Sequence, residues 1–563
     1  MDNNAFVDYL NSLHNYNAQN ENAYGERNVG NAFFKDVMVK VGLCDFIKCG
    51  LTEKEPHIVI LTGHAGDGKT SIMYQVLTEL ELPFQPDEKE SLVRLPAGNQ
   101  CLCIKDFSEL SDYERKSTME SLVKMPERDG FVFMVANTGP LINTFGELFD
   151  SDQDRENARI ELINSMDSNT GEIVKINGIK ICVINVATVD NTYFATELLK
   201  KLLQDKLWSD CDGCSKRRYC HIYRNKNLIV HNKAKVLEFV NNHFVWLREH
   251  GKRLTIRSMT EQLAYMLTGG ISCEEVLVNE SYKYLFSNLF FGYIGTKVND
   301  KALNIVAVRS ANECNYDHRR LRSDENLLVD REYKQLFGEE VANIITEAEG
   351  KNTVYIKGWT EFLRRTYFFM NIVTNEFIKT NDYEDIFSKQ FKRYLELRTG
   401  KSTPSKSDAN LIADALSMIY VGTTSDESEI PLTLSRETGI AQNVQLITGT
   451  ISTRQMKVVA RKTHDSKFNK GKERFELLLS INKMELETVL SLPMLDYFEE
   501  LKNGVIATNI DPQLSHGVES LKAQISKELD DEEEDVIEMT ILKNSGNKDV
   551  RLELTDNGRI REV

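Results

Sequence analysis

Three glycines, a lysine and a threonine fall within eight residues, Gly63-His64-Ala65-Gly66-Asp67-Gly68-Lys69-Thr70. Glycines at these places let a backbone turn tightly and aim its N–H groups inward, which is how a loop cradles a phosphate. An ammonium at Lys69 would reach the β- and γ-phosphates, and the Thr70 hydroxyl, with Ser71 beside it, would meet a Mg²⁺. The pattern G-x-x-x-x-G-K-[ST] also arises by chance, so its context decides. His57–Thr62 before it is an apolar run of strand length, and Ile72, Met73, Val76, Leu77 and Leu80 after it carry helical spacing. Strand, loop and helix come in the order that sets a helix N-terminus against a phosphate. The expected ligand is ATP with Mg²⁺, held by residues 63–71.

A second run, Cys101-Leu102-Cys103-Ile104-Lys105-Asp106, is a strand ending in a carboxylate. Asp106 stands where a Walker B aspartate approaches the Mg²⁺. Glu109 could polarise the attacking water, although the usual catalytic glutamate directly follows the aspartate and Phe107 occupies that place here. A third run, Phe131–Ala136, ends in Asn137, the position of a sensor residue near the γ-phosphate; a plain turn-forming Asn ahead of Thr-Gly-Pro is the alternative. The three features together look like the additional-strand class of P-loop ATPases, in which one strand separates the P-loop and Walker B strands. Arg155 and Arg159 lie where related ATPases carry an arginine finger for a neighbouring subunit, and Asp152, Asp154, Glu156 and Glu161 around them support a solvated helix instead. Arg257, entering a later helix, is a candidate sensor 2 arginine.

Cys211-x₂-Cys214-x₅-Cys220-His221 is the densest group of metal-binding residue types in the chain. The first spacing suits tetrahedral Zn²⁺, with Cys220 and His221 or His231 completing a structural site. An iron–sulfur cluster and a metal-free loop of redox-capable thiols are the alternatives. Lys216, Arg217 and Arg218 nearby would favour thiolates.

The elements that position these residues follow from periodicity. Five apolar runs (His57–Thr62, Ser91–Leu95, Cys101–Ile104, Phe131–Ala136 and Lys180–Val186) alternate with amphipathic stretches. They predict an α/β P-loop NTPase core: a five-stranded parallel sheet with helices on both faces. A mainly helical region should follow, then a small α+β part. The expected divisions are a helical lead-in over 1–55, the ATPase core over 56–205, a cysteine-containing insertion and helical lid over 206–275, a helical domain over 276–400, and an α+β domain over 401–563. Residues 401–408 read as a linker, Met484–Leu501 as a helix, Asp530–Asp535 as a solvated acidic spacer, and Val536–Leu542 with Val550–Leu554 as a hairpin.

With a net charge of −16, the chain as a whole would repel a nucleic-acid backbone. DNA contact would then fall to a partner or to a local basic patch: residues 200–257 hold 14 Lys or Arg against 5 Asp or Glu. Ten cysteines, most of them alone in apolar strings, suit a reducing cytosol. No signal-like N-terminus and no membrane-spanning run is evident, so a cytoplasmic protein is expected.

The Gly63–Thr70 loop, the strand ending in Ala-Asn-Thr-Gly-Pro at residue 140, the Cys211–His221 cluster and the Arg257–Gly270 helix ending in Thr-Gly-Gly together resemble one group. It is the DptF family, the ATPase component of bacterial DNA phosphorothioation-dependent restriction systems. The resemblance spans about residues 25–375. It implies ATP hydrolysis in antiphage defence alongside other restriction-system proteins, which would supply the nuclease, since no nuclease motif is evident here. An arginine finger would imply a homo-oligomer. A nucleotide-gated scaffold with little turnover is the other reading.

Overall fold

The computed structural model describes residues 3–14, 31–84, 88–252, 254–276, 282–314, 316–321, 324, 337–351, 357–370, 386–420, 422, 429–433, 444–463, 468, 474–505, 510–528, 536–543, 546–555 and 558–562. The acidic run Asp530–Asp535 and part of the basic stretch, Arg253, lie outside them. The chain forms two compact units, one of residues 1–382 with 464–471 and one of 383–463 with 472–563.

The first unit is built on strands β1 (Ile58–Thr62), β2 (Glu90–Arg94), β3 (Gln100–Ile104), β4 (Phe131–Val135), β5 (Val174–Ile176) and β6 (Ile179–Asn185). They form one sheet in the order β2-β3-β4-β1-β6-β5. The central four are parallel. The expected five-stranded parallel sheet is therefore corrected to a mixed one of six. The Ser91–Leu95 run pairs antiparallel with β3, because only a short connection joins them and a parallel crossover needs a dozen or more residues. Strand β5 is an added edge, paired antiparallel with β6 through Asn177-Gly178, both at positive φ. That is the backbone of a tight two-residue hairpin.

Alternate residues of the central strands face opposite layers, as a two-residue period requires. Val59, Leu61, Phe133 and Cys182 pack towards helices Leu43–Glu53 and Lys69–Glu79. Ile58, Ile60, Val132, Met134 and Val183 pack towards Asp112–Leu122, Thr138–Gly146 and Asp152–Ser168. The middles of the central strands are apolar because both faces are covered. Helices Thr192–Leu202, His221–His231, Lys233–Glu249, Ile256–Thr268 and Trp359–Phe369 continue this unit. Phe239 meets Phe368 and Phe369 between the third and last of these, with ring centroids 5.5 and 4.4 Å apart.

The second unit holds helices Phe391–Arg398, Lys406–Tyr420, Leu492–Lys502 and Pro512–Glu528 and two antiparallel sheets. The predicted hairpin forms between Val536–Lys543 and Gly546–Leu554. Two expectations are corrected. Residues 406–408 open a helix rather than a linker, and Met484–Val489 is a strand paired with Phe475–Ile481. The helix predicted from Met484 starts only at Leu492, where Ser491 and Pro493 supply a start signal.

Candidate functional site

Because the four central strands are parallel, their C-terminal ends open on one edge of the sheet, where such sheets carry ligands. β1 ends in the glycine loop, β3 runs into Asp106, and β4 into Asn137. The register sets Leu61 beside Val135 and Ile104 beside Met134, so these ends lie level. Strand β4 sits between β1 and β3. One cleft of about 730 Å³ opens there, within the usual range for a small-molecule site. Ala65, Gly66, Gly68, Lys69, Thr70 and Ser71 line it, and so do Asp106, Glu109, Asn137 and Arg257.

The loop takes its shape from its glycines. Gly63, Gly66 and Gly68 have φ of +143°, +89° and +83°, values that L side chains rarely adopt. Asp67 accepts a hydrogen bond from the His64 N–H at 2.8 Å, so Gly63, His64 and Asp67 shape the loop rather than line the cleft. Helix Lys69–Glu79 starts immediately after Gly68, its N-cap, and points its N-terminus at the cleft. The buried Lys69 ammonium donates to the carbonyls of Gly63 and His64 at 3.2 and 2.7 Å and to Asn137 Oδ1 at 3.1 Å. The Asn137 N–H donates to Ser108 Oγ at 2.7 Å, which ties the ends of β3 and β4 together. Ser108 also lines the cleft, and nothing in its sequence surroundings marks it.

The opposite wall is the start of helix Ile256–Thr268. The Arg257 N–H donates to the Gly66 carbonyl at 3.2 Å. A Cβ on Gly66 would lie 3.0 Å from Thr255 Oγ1, and one on Gly68 would lie 3.1 Å from Ile256 Cδ1. One turn further on, burial pushes the Glu261 carboxyl up to about 7 against the pull of Arg257. The remaining wall is apolar. Tyr9, Leu13, Phe34, Val39, Phe194 and Leu198 come from the N-terminal segment and helix Thr192–Leu202. Sequence reading found no role for these residues, because only long-range packing brings them to the loop.

Arg155 and Arg159 do not line the cleft of their own chain. Arg155 Nε donates to the Phe149 carbonyl at 2.7 Å, and Arg159 packs against Gly146. The stretch 200–257 is spread over several helices, and many of its cations are matched, as in Lys206–Asp36, Lys226–Asp205 and Arg248–Asp190.

Cys211, Cys214 and Cys220 lie around one small cavity, but His221 does not join them. His221 is buried and stacks on Tyr284 with ring centroids 4.6 Å apart, its Nε2 3.2 Å from the Thr268 carbonyl. Burial lowers its pKa to about 4. All ten cysteines are free. Among the described residues, no group of three or more His, Cys, Asp or Glu side chains stands arranged to hold a metal ion, and no helix is long and apolar enough to cross a membrane.

Compared with protein-family models, with curated proteins and with solved structures, the chain has no match.

Proposed function

We propose that the cleft binds ATP with Mg²⁺ and hydrolyses it. The observation that carries this is the convergence, at one sheet edge, of a positive-φ glycine loop opening a helix, the Lys69 ammonium, and Asp106 and Asn137 from the two neighbouring strand ends. The loop N–H groups and helix N-terminus would take the phosphates. Lys69 would exchange its carbonyl partners for β- and γ-oxygens, and Thr70 and Asp106 would hold the metal. The apolar wall around Tyr9, Phe34 and Phe194 would receive the base. Glu109 and Asn137 would position the attacking water, and Arg257 would meet developing charge on the γ-phosphate.

A place in a DNA restriction system rests on the sequence resemblance, with DNA and the nuclease reached through partner proteins. Arg155 or Arg159 would then act on a neighbouring subunit's nucleotide.

Two measurements test the core of the proposal. Lys69→Ala should weaken ATP binding at least tenfold by calorimetry, and Asp106→Asn should keep nucleotide binding but abolish Mg²⁺-dependent phosphate release. Full-affinity binding by Lys69→Ala would refute the site. Tight binding without turnover in the wild type, with or without DNA, would favour the nucleotide-gated scaffold.

A further inference from the structure

A fourth cysteine completes the ring around the small cavity. Cys273, in the loop after helix Ile256–Thr268, lines it together with Cys211, Cys214 and Cys220. We infer that these four thiolates hold a single structural Zn²⁺, with Cys273 in the place that sequence spacing assigned to His221.

Three observations support a metal over a chance cluster. The first is the hydrogen bonding around the sulfurs. Asn4 Nδ2 donates to Cys211 Sγ at 3.3 Å. N–H donors aimed at sulfur stabilise thiolate ligands and fix their direction. The second is charge. Four thiolates on Zn²⁺ leave a net −2, and Lys216 and Arg217 line the same cavity. Lys216 also donates to the carbonyls of Cys273 and Glu274 at 3.0 and 3.2 Å, which fastens the Cys273 loop to the Cys211–Cys220 turn. The third is size. The cavity offers about 20 Å³, room for one water-sized body. That suits one ion.

The thiols ring the cavity without meeting at one point, so the proposal requires them to turn inward on ligation. Zn²⁺ would displace the thiol protons on binding. Ligation would fasten the turn after helix Thr192–Leu202, the start of helix His221–His231 and the end of helix Ile256–Thr268 to one another.

The test uses the full chain expressed with added zinc. Elemental analysis should find one zinc per chain, and X-ray absorption at the zinc edge should show four sulfur neighbours at about 2.3 Å. Cys273→Ser should lose the zinc and His221→Gln should keep it. A nitrogen in the first shell, zinc retained by Cys273→Ser but lost from His221→Gln, iron with acid-labile sulfide, or no metal at all would each overturn the assignment. If Cys273→Ser fails to fold, the absorption spectrum of the wild type decides alone.

Discussion

Gly66→Ala is the sharpest probe of the contact between the glycine loop and the helix that walls the cleft. Gly66 has φ +89°, and an added Cβ would lie 3.0 Å from Thr255 Oγ1 and 3.3 Å from Arg257 Cβ. Left-handed backbone costs an L residue about 1–2 kcal/mol. Relieving the contact should add about 1–3 kcal/mol, the usual cost of overpacking. Thr255 cannot give way freely, because its hydroxyl caps the helix by accepting from the Ser258 N–H at 3.2 Å. Gly98 supplies the control: it has φ +98° and nothing within 4 Å of an added Cβ. Gly98→Ala should therefore show the backbone cost alone, with nucleotide affinity unchanged. Gly66→Ala should lose about 2–5 kcal/mol in all and bind ATP at least tenfold more weakly. The second loss equals about 1.4 kcal/mol, less than one charge-assisted hydrogen bond to phosphate. Trp208, Trp246 and Trp359 are the only tryptophans and all lie in the first unit. Denaturant melts followed by tryptophan fluorescence therefore report the unit that holds the loop. A Gly66→Ala protein with the midpoint of Gly98→Ala and wild-type affinity would refute the reasoning.

Two further predictions concern buried charge. The Glu261 carboxyl is raised from 4.5 to about 7 by burial, so between those values the folded chain keeps a proton that the unfolded chain has lost. Stability must then fall as pH rises through that window. Glu261→Gln should match the wild type near pH 4 and exceed it by on the order of 3 kcal/mol above pH 7; an equal gap in melts at both ends of the window would contradict this. Arg365 is fully buried, and its guanidinium meets the Asp317 carboxylate at 2.7 Å and Asn288 Oδ1 at 2.7 Å. Asp317→Ala should cost about 3–5 kcal/mol by stranding that cation, and adding Arg365→Met should recover part of it. A loss below about 1 kcal/mol in tryptophan-monitored melts would count against it.

What could be read from the chain was local. The His57–Thr62 strand, the glycine loop and the helix after it each carry their signal within a few residues, and the structure forms all three there. Asp106 and Asn137 were legible because parallel strands bring their C-terminal ends to one edge. The direction of β2 was not, since the run reads apolar while only Val93 of that strand is buried, as befits an edge. The β5–β6 hairpin did carry a local mark, Asn177-Gly178, but the strand before it is only three residues long. Cys273 and the apolar wall from Tyr9 to Leu198 have no neighbours in sequence that announce them, because only tertiary packing delivers them to their sites.

Helix Ile256–Thr268 is a rod of 13 residues, about 20 Å long at 1.5 Å per residue. Its first turn rests on the glycine loop and its last leads to Cys273. A rod cannot be held at one end without narrowing the positions open to the other. If zinc tightens nucleotide binding by some factor, nucleotide must tighten zinc by the same factor, since the two routes to the doubly bound chain close a thermodynamic cycle. Cellular zinc supply would then enter the affinity for ATP as directly as any residue that touches it.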